Sequence, residues 1–182
     1  METAPVQTPA MVRWFLLGVA LWASVAWPAE VQGQSVRATV LSIGDGDTIR
    51  VRQAGRALTV RLACIDAPET AQSPWGQQAR RYRQQRLPIG REVTLEVKTT
   101  DRYGRSVAEL FRGGRNLSQA LVAAGAAFVY WQYISDCDRN TYSRLETEAR
   151  LRRMGVWSRP GGMARPWVYR HARRSGSSQS SG

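Results

Sequence analysis

The stretch Val60-Arg61-Leu62-Ala63-Cys64-Ile65-Asp66-Ala67-Pro68-Glu69-Thr70 is a short apolar run with charged ends. Its centre reads as the end of a strand. Its ends carry a guanidinium on one side and two carboxylates about a proline on the other. A guanidinium forks anions and carboxylate oxygens suit hard divalent cations, so the combination fits a site that holds both at once. Arg61 and Asp66 are five positions apart, and strict alternation would send them to opposite faces of a sheet. The chain must therefore leave the strand before Asp66 if the two share a site. Pro68 offers a cause, because it biases Ala67 toward extended geometry and removes a ladder donor. Glu69 can then point back toward a cation beside Asp66. Read alone, Asp66-Ala67-Pro68-Glu69 is equally a solvated turn or a helix start.

Upstream, Ser35 to Ile43 reads as a strand, with Val36, Ala38 and Val40 on an apolar face. Gly44-Asp45-Gly46-Asp47 has turn chemistry, and Thr48 to Gln53 resumes with β-branched residues, which predicts a hairpin. A second turn at Ala54-Gly55-Arg56 leads into Ala57 to Ile65, the third strand. Asp47 begins the second strand and Asp66 ends the third, so neighbouring strands bring both carboxylates to one rim. For Asp45, plain turn formation is the favoured reading.

Downstream, Ser73 as cap and Pro74 at the first helical position predict a helix with Ala79, Tyr82 and Leu87 inward. Arg80, Arg81, Arg83 and Arg86 read as its solvated face, attracting phosphate without specificity at most. Arg91 to Thr99 alternates like a half-buried strand, Asp101-Arg102-Tyr103-Gly104-Arg105 is a turn, and Ser106 to Arg112 is a fifth strand. Asn116 caps a helix that Gly125 stops, and Asn140 or Thr141 opens another with Leu145, Ala149, Leu151 and Arg152, ending near Gly155, with Trp157 behind it. From Gly161 onward glycine, arginine and serine dominate, with Arg165-Pro166-Trp167-Val168-Tyr169 as the one apolar patch. This reads as a tail without chemistry, disordered over Ser175–Gly182. Five short strands, a helix between the third and fourth, and further helices form the order of a five-stranded OB-fold barrel of α+β class with about three α-helices.

The 182 residues have room for one domain with terminal extensions. Lys and Arg number 26 against 14 Asp and Glu, giving +12, and Lys98 is the single lysine. The surplus points to polyanionic partners, while the arginine bias is equally a composition effect. Met11-Val12-Arg13 leads into the uncharged apolar run Trp14 to Trp27, and Pro28 and small residues follow, as in a secretory signal peptide over residues 1–33. Cleavage sites are Ala26, Ala29 or Gly33. The remainder would carry +13, because Glu2, Arg13 and Glu30 leave together. The predicted location is secreted or periplasmic, with an uncleaved membrane anchor as the alternative. Export permits a Cys64–Cys137 disulfide, against two separate buried thiols. The one histidine, His171, lies in the basic tail, so mechanisms needing a histidine base or several histidine ligands lack material.

Four blocks in this order resemble the staphylococcal nuclease family: Asp45-Gly46-Asp47-Thr48, Arg61 through Asp66-Ala67-Pro68-Glu69-Thr70, Asp101-Arg102-Tyr103-Gly104-Arg105, and Gly155-Val156-Trp157. The resemblance spans about Val36 to Trp157, within a domain read as 35–158 ahead of a basic tail, 159–182. It implies Ca²⁺ as cofactor, held by Asp47, Asp66 and the main-chain carbonyl of Ala67, where family members often have threonine. It also implies Glu69 as general base or orienter of the attacking water, with Arg61 and Arg105 as phosphate clamps. Phosphodiester hydrolysis needs those tasks filled: an activated water, a cation on the phosphoryl oxygen, and donors for growing charge. Tyr103 would bind a terminal phosphate or line a base pocket. The pocket aromatic corresponds to Tyr130 or Trp131, core packing being the alternative for either ring. The implied partners are single- and double-stranded DNA and RNA, acted on as a monomer with no stable protein partner, leaving 3′-phosphate ends. A non-catalytic OB-type binding module is the runner-up, and a basic envelope anchor explains none of the motifs.

Overall fold

The computed structural model describes residues 35–44 and 46–179, with side chains as far as Ser175. The expectations for residues 1–33 and for Asp45 lie outside these residues. Among the described residues no helix is long and apolar enough to cross a membrane.

Strands β1 (Ser35–Ile43), β2 (Thr48–Gln53) and β3 (Arg56–Leu62) form an antiparallel meander. The β2–β3 turn places Ala54 and Gly55 at φ 46° and 80°, the left-handed pair that matches the twist of a two-residue hairpin. Then follow β4 (Ile65–Asp66), α1 (Trp75–Arg86), β5 (Glu92–Thr100), β6 (Ser106–Arg112), β7 (Arg115–Asn116), α2 (Leu117–Ala123), β8 (Phe128–Val129), α3 (Arg139–Leu151) and α4 (Pro166–Gln179). The sheet runs β3-β2-β1-β5-β6-β7, and a parallel β3–β6 pairing closes it. Five long strands thus make a closed mixed barrel of OB type. Closure removes the two edges that an open sheet would expose. Its interior is the alternating set Val40, Ile49, Val51, Val60, Leu62, Leu95, Ala108 and Leu110, all buried.

Several local details differ from expectation for identifiable reasons. The third strand stops at Leu62, because Cys64 takes φ 63° and turns the chain before Asp66. The exit lies there rather than at Pro68. After it, Ile65 and Asp66 pair with Val129 and Phe128 in a separate two-stranded sheet. Pro74 occupies the N-cap of α1 without a side-chain bond from Ser73, and the third helix is capped by Asp138, whose carboxylate accepts from the Thr141 N–H. Asn116 caps α2 by accepting from the Gln119 N–H. Leu151, placed on the apolar face of α3, is exposed. Arg83 is fully buried rather than on the solvated face of α1; it shares an inner stripe with Gly76 and Ala79. The largest difference is α4, which runs through the apolar patch to Gln179, into the stretch expected to be disordered.

One polar cluster ties the barrel to its helices. Glu109 of β6 is buried and accepts from Asn116 Nδ2 at 2.6 Å and from the Tyr142 hydroxyl of α3 at 2.7 Å, with Lys98 Nζ at 3.1 Å. Desolvation and this carboxylate push the Tyr142 hydroxyl far above its usual range.

Candidate active site

Three pairings bring the site residues to one rim of the barrel. Thr48 pairs with Arg61 across β2–β3, and the Leu62 N–H donates to the Asp47 carbonyl at 2.9 Å, so Asp47 stands beside Arg61. In the closing seam Val60 pairs with Ser106, which puts Arg105 on the same edge. The β4–β8 pairing fixes Asp66 opposite Phe128, and the Tyr130 N–H donates to the Cys64 carbonyl at 2.9 Å. A disulfide joins Cys64 to Cys137, with Cα atoms 6.4 Å apart, and holds this corner against the lead into α3. The turn at Cys64 solves the alternation problem: Arg61 Nη2 lies 3.5 Å from Asp66 Oδ1.

The acids are buried to different extents. Asp66 is inaccessible, Asp47 nearly so, and Glu69 partly open. Asp47 Oδ2 lies 2.6 Å from Arg61 Nη1, yet no N–H is aligned on that oxygen, and it is without a hydrogen bond. Burial pushes the Asp47 carboxyl up to about 7; the neighbouring Asp66 charge adds to the rise, while Arg61, Arg170 and Arg83 oppose it. The Ala67 carbonyl and Glu69 Oε2 lie 3.6 and 3.7 Å from where a Cβ on Gly46 would stand. A Cβ at Gly46 would meet both oxygens at ordinary contact distance, and it is the φ of 53° that disfavours a side chain there.

Arg105 is held back from the carboxylates. Its Nε and Nη2 bond Asp101 Oδ2, both at 2.7 Å, and Nη1 donates to Thr48 Oγ1 at 3.4 Å. Asp101 is itself kept below the usual carboxylate range, since hydrogen bonds from Arg105 and Tyr103 outweigh desolvation. Tyr103 is 63% exposed, and its hydroxyl accepts from Arg102. Tyr130 lies beside Arg61, whose guanidinium carbon is 5.9 Å from the ring centre; burial and the nearby Asp66 charge raise its hydroxyl pKa. Trp131 turns the other way, its indole Nε1 donating to Glu146 of α3 at 3.0 Å. Of the two candidate pocket rings, Tyr130 is the one at the rim.

Sequence reasoning missed four contributors. Arg170 of α4 reaches into the acids: Nη1 donates to Asp66 Oδ1 at 3.0 Å and to Glu69 Oε1 at 2.7 Å, and Nη2 to Asp66 Oδ2 at 2.7 Å. Burial disfavours its charge, but these bonds outweigh burial and raise its pKa further. The segment read as a tail is thus a helix in contact with the rim. Trp167, one turn earlier, stacks on Tyr130 with centroids 5.1 Å apart and planes 4° from parallel. Arg83 donates to the Gly44 carbonyl at 3.4 Å under the Asp47 turn. Gln72 accepts from the Glu69 N–H and donates to the Ala164 carbonyl, linking the loop that carries Glu69 to the approach of α4. Two signals were present: Pro166 as a helix starter with Trp167 and Arg170 three apart, and the Ala79-to-Arg83 spacing of four.

Fold and rim together define an OB-type barrel with clustered acids and arginines at one edge. Residues 59–159 match the family model of staphylococcal nuclease homologues, a match that ends ahead of α4. The chain is 36% identical over 152 residues to a protein named uncharacterized endonuclease from Escherichia coli O157:H7, covering 80% of this chain and 91% of that one. It is 36% identical over 175 residues to a micrococcal nuclease of Shigella flexneri, covering 91% and 95%. Protein ParB of Escherichia coli is 37% identical over 163 residues, covering 85% and 86%. The chain belongs to the staphylococcal nuclease family.

Proposed function

We propose that this chain is a calcium-dependent nuclease that hydrolyses DNA and RNA, single- or double-stranded, with little sequence preference. The observation that carries the reading is the convergence of Asp47, Asp66, Glu69 and Arg61 on the rim where Arg105 and Tyr130 stand. The donor chemistry fits a hard divalent ion: two buried carboxylates, Asp47 facing Arg61 in an ion pair, and the Ala67 carbonyl nearby. Among the described residues no group of three or more His, Cys, Asp or Glu side chains has metal-binding spacing; the Ala67 carbonyl and waters would supply the remaining oxygens. Calcium held by Asp47, Asp66 and Ala67 would supply Lewis-acid polarisation of a phosphoryl oxygen.

The chain's own residues divide the remaining work. Glu69, partly open, orients a water and takes its proton as the new P–O bond forms. Arg61 and Arg105 fork the phosphoryl oxygens, on which charge grows. Arg105 must exchange its Asp101 contact to do so. The P–O5′ bond breaks, leaving a 3′-phosphate and a 5′-hydroxyl that is protonated by solvent. Tyr130 offers a face to a base, and Tyr103 an exposed hydroxyl to a terminal phosphate. The N-terminal segment and the Cys64–Cys137 disulfide support a secreted or periplasmic location, an uncleaved anchor being the alternative, and a monomer suffices for the chemistry.

The test is digestion of single-stranded DNA by the purified chain with calcium, then with a chelator, beside Glu69→Gln and Arg105→Ala. Each substitution is expected to lower the rate by about 10²–10³, and chelation to abolish it. Full activity in chelator would remove the metal assignment. Undiminished cleavage by both variants would remove the site, and a gel shift without cutting would leave a binding module.

A further inference from the structure

Helix α4 occupies two positions of the proposed site at once. The Arg170 fork covers both oxygens of the buried Asp66 and one of Glu69, so a guanidinium stands where a metal-binding carboxylate would present its lone pairs. Three residues earlier, Trp167 lies flat on Tyr130, the face a base would stack on, and meets Phe128 edge-on at 6.3 Å. A cation and a flat ring, three residues apart on one helix, thus cover a cation site and a stacking platform.

The docking is built from several independent contacts. Met163 is buried against Phe128, Ala149, Val156 and Trp157, and its N–H donates to the Val156 carbonyl at 2.8 Å. Arg165 lies over the rings of Phe128 and Trp157 at 4.0 and 4.5 Å. Gln72 bridges the Glu69 N–H to the Ala164 carbonyl at 3.1 and 3.0 Å, so the loop that carries Glu69 and the start of α4 share one side chain. A helix held this way is a defined state of the fold.

From this we infer that α4 is an autoinhibitory element: Arg170 and a divalent cation compete for Asp66, Arg170 also holds the Glu69 carboxylate that would orient the water, and Trp167 and a nucleobase compete for Tyr130. The inference rests on the metal-dependent nuclease reading. A guanidinium and a divalent ion cannot share the same carboxylate lone pairs, and their like charges repel at contact distance in a low-dielectric pocket. Binding of the ion and docking of α4 are therefore negatively coupled, and by linkage whatever releases α4 tightens the ion. Arg170 also offsets the three neighbouring acids, which makes the docked state the stable one when no divalent ion is present.

Calorimetric titration of the full chain with calcium tests the coupling, using wild type, Arg170→Gln, Trp167→Ala and Asp66→Asn, each checked for folding by circular dichroism. Arg170→Gln is expected to bind calcium roughly tenfold tighter, the ordinary scale of coupling between sites. Trp167→Ala, which loosens α4 without removing the Arg170 side chain, shifts the same way and serves should Arg170→Gln fold poorly. Hydrogen–deuterium exchange gives a second readout: calcium should speed exchange over residues 163–175 of the wild type. Equal or weaker calcium binding in both variants, with Asp66→Asn binding none, would overturn the competition and leave the metal site standing. Calcium binding by none of the four proteins would remove the metal reading and the competition with it. Slower exchange over 163–175 on adding calcium would show α4 to be part of the loaded site, against the inference.

Discussion

Asp47 illustrates how one buried carboxylate couples to the rest of the rim. Its carboxyl pKa is moved from 3.8 to about 7, chiefly by burial, so the folded chain holds the proton more tightly than the unfolded chain. Between those pH values the folded state binds more protons, so its metal-free stability falls as pH rises through the window and levels off above it. Thermal melts in chelator at pH 4, 5.5, 7 and 8 should show this slope, and Asp47→Asn should flatten it. A wild-type slope no steeper than the variant's would contradict the assignment. Gly76 sets another constraint, since a Cβ there would collide with the Glu69 carbonyl and the Thr70 backbone. Gly76→Ala gains at most about 1 kcal/mol of helix propensity. It must displace backbone, at a cost of about 1–3 kcal/mol. The net prediction is a lower urea midpoint. Cleavage should also slow by roughly 10²-fold, because the backbone of Glu69 moves.

Among the elements, the corner between β3 and β4 decides the site. Arg61 lies on one strand and Asp66 on another, and the left-handed Cys64 between them supplies the bend. The Cys64–Cys137 disulfide closes a separation of 73 residues. On the chain-entropy model such a loop is worth about 4 kcal/mol. The Cys64→Ala/Cys137→Ala double variant should therefore unfold at a clearly lower urea concentration, and reductant should do the same to wild type alone. That a bend must precede Asp66 follows from alternation in the sequence, as does the Asn116 cap. The location of the bend does not, because Pro68 is a conspicuous breaker and a cysteine at positive φ has no signature of its own. Helix α4 was obscured for a related reason: its arginines and serines look like a solvated tail until Asp66 and Glu69 are placed opposite Arg170.

For the molecule as a whole, Glu109 joins the barrel to α2 through Asn116 and to α3 through Tyr142. Glu109→Ala leaves Asn116 and Tyr142 without this acceptor and Lys98 with the more exposed Glu96 at 3.5 Å, and a loss of about 3–5 kcal/mol is expected. Tyr142→Phe removes one of these bonds and should cost about 1–2 kcal/mol. Equal losses in chemical denaturation would mean that the cluster is not the joint described. The amino-acid sequence by itself determined the barrel strands, the order of the motifs and the residue types at the rim. It could do so because period-two burial, turn chemistry and caps are local. Only the tertiary structure decided that Arg83 is buried, that Tyr130 rather than Trp131 faces Arg61, that Arg170 closes over the acids and that Trp167 covers Tyr130. Those outcomes depend on pairings between residues as much as 104 positions apart, where charge and shape are matched across elements and leave no periodic trace in the chain.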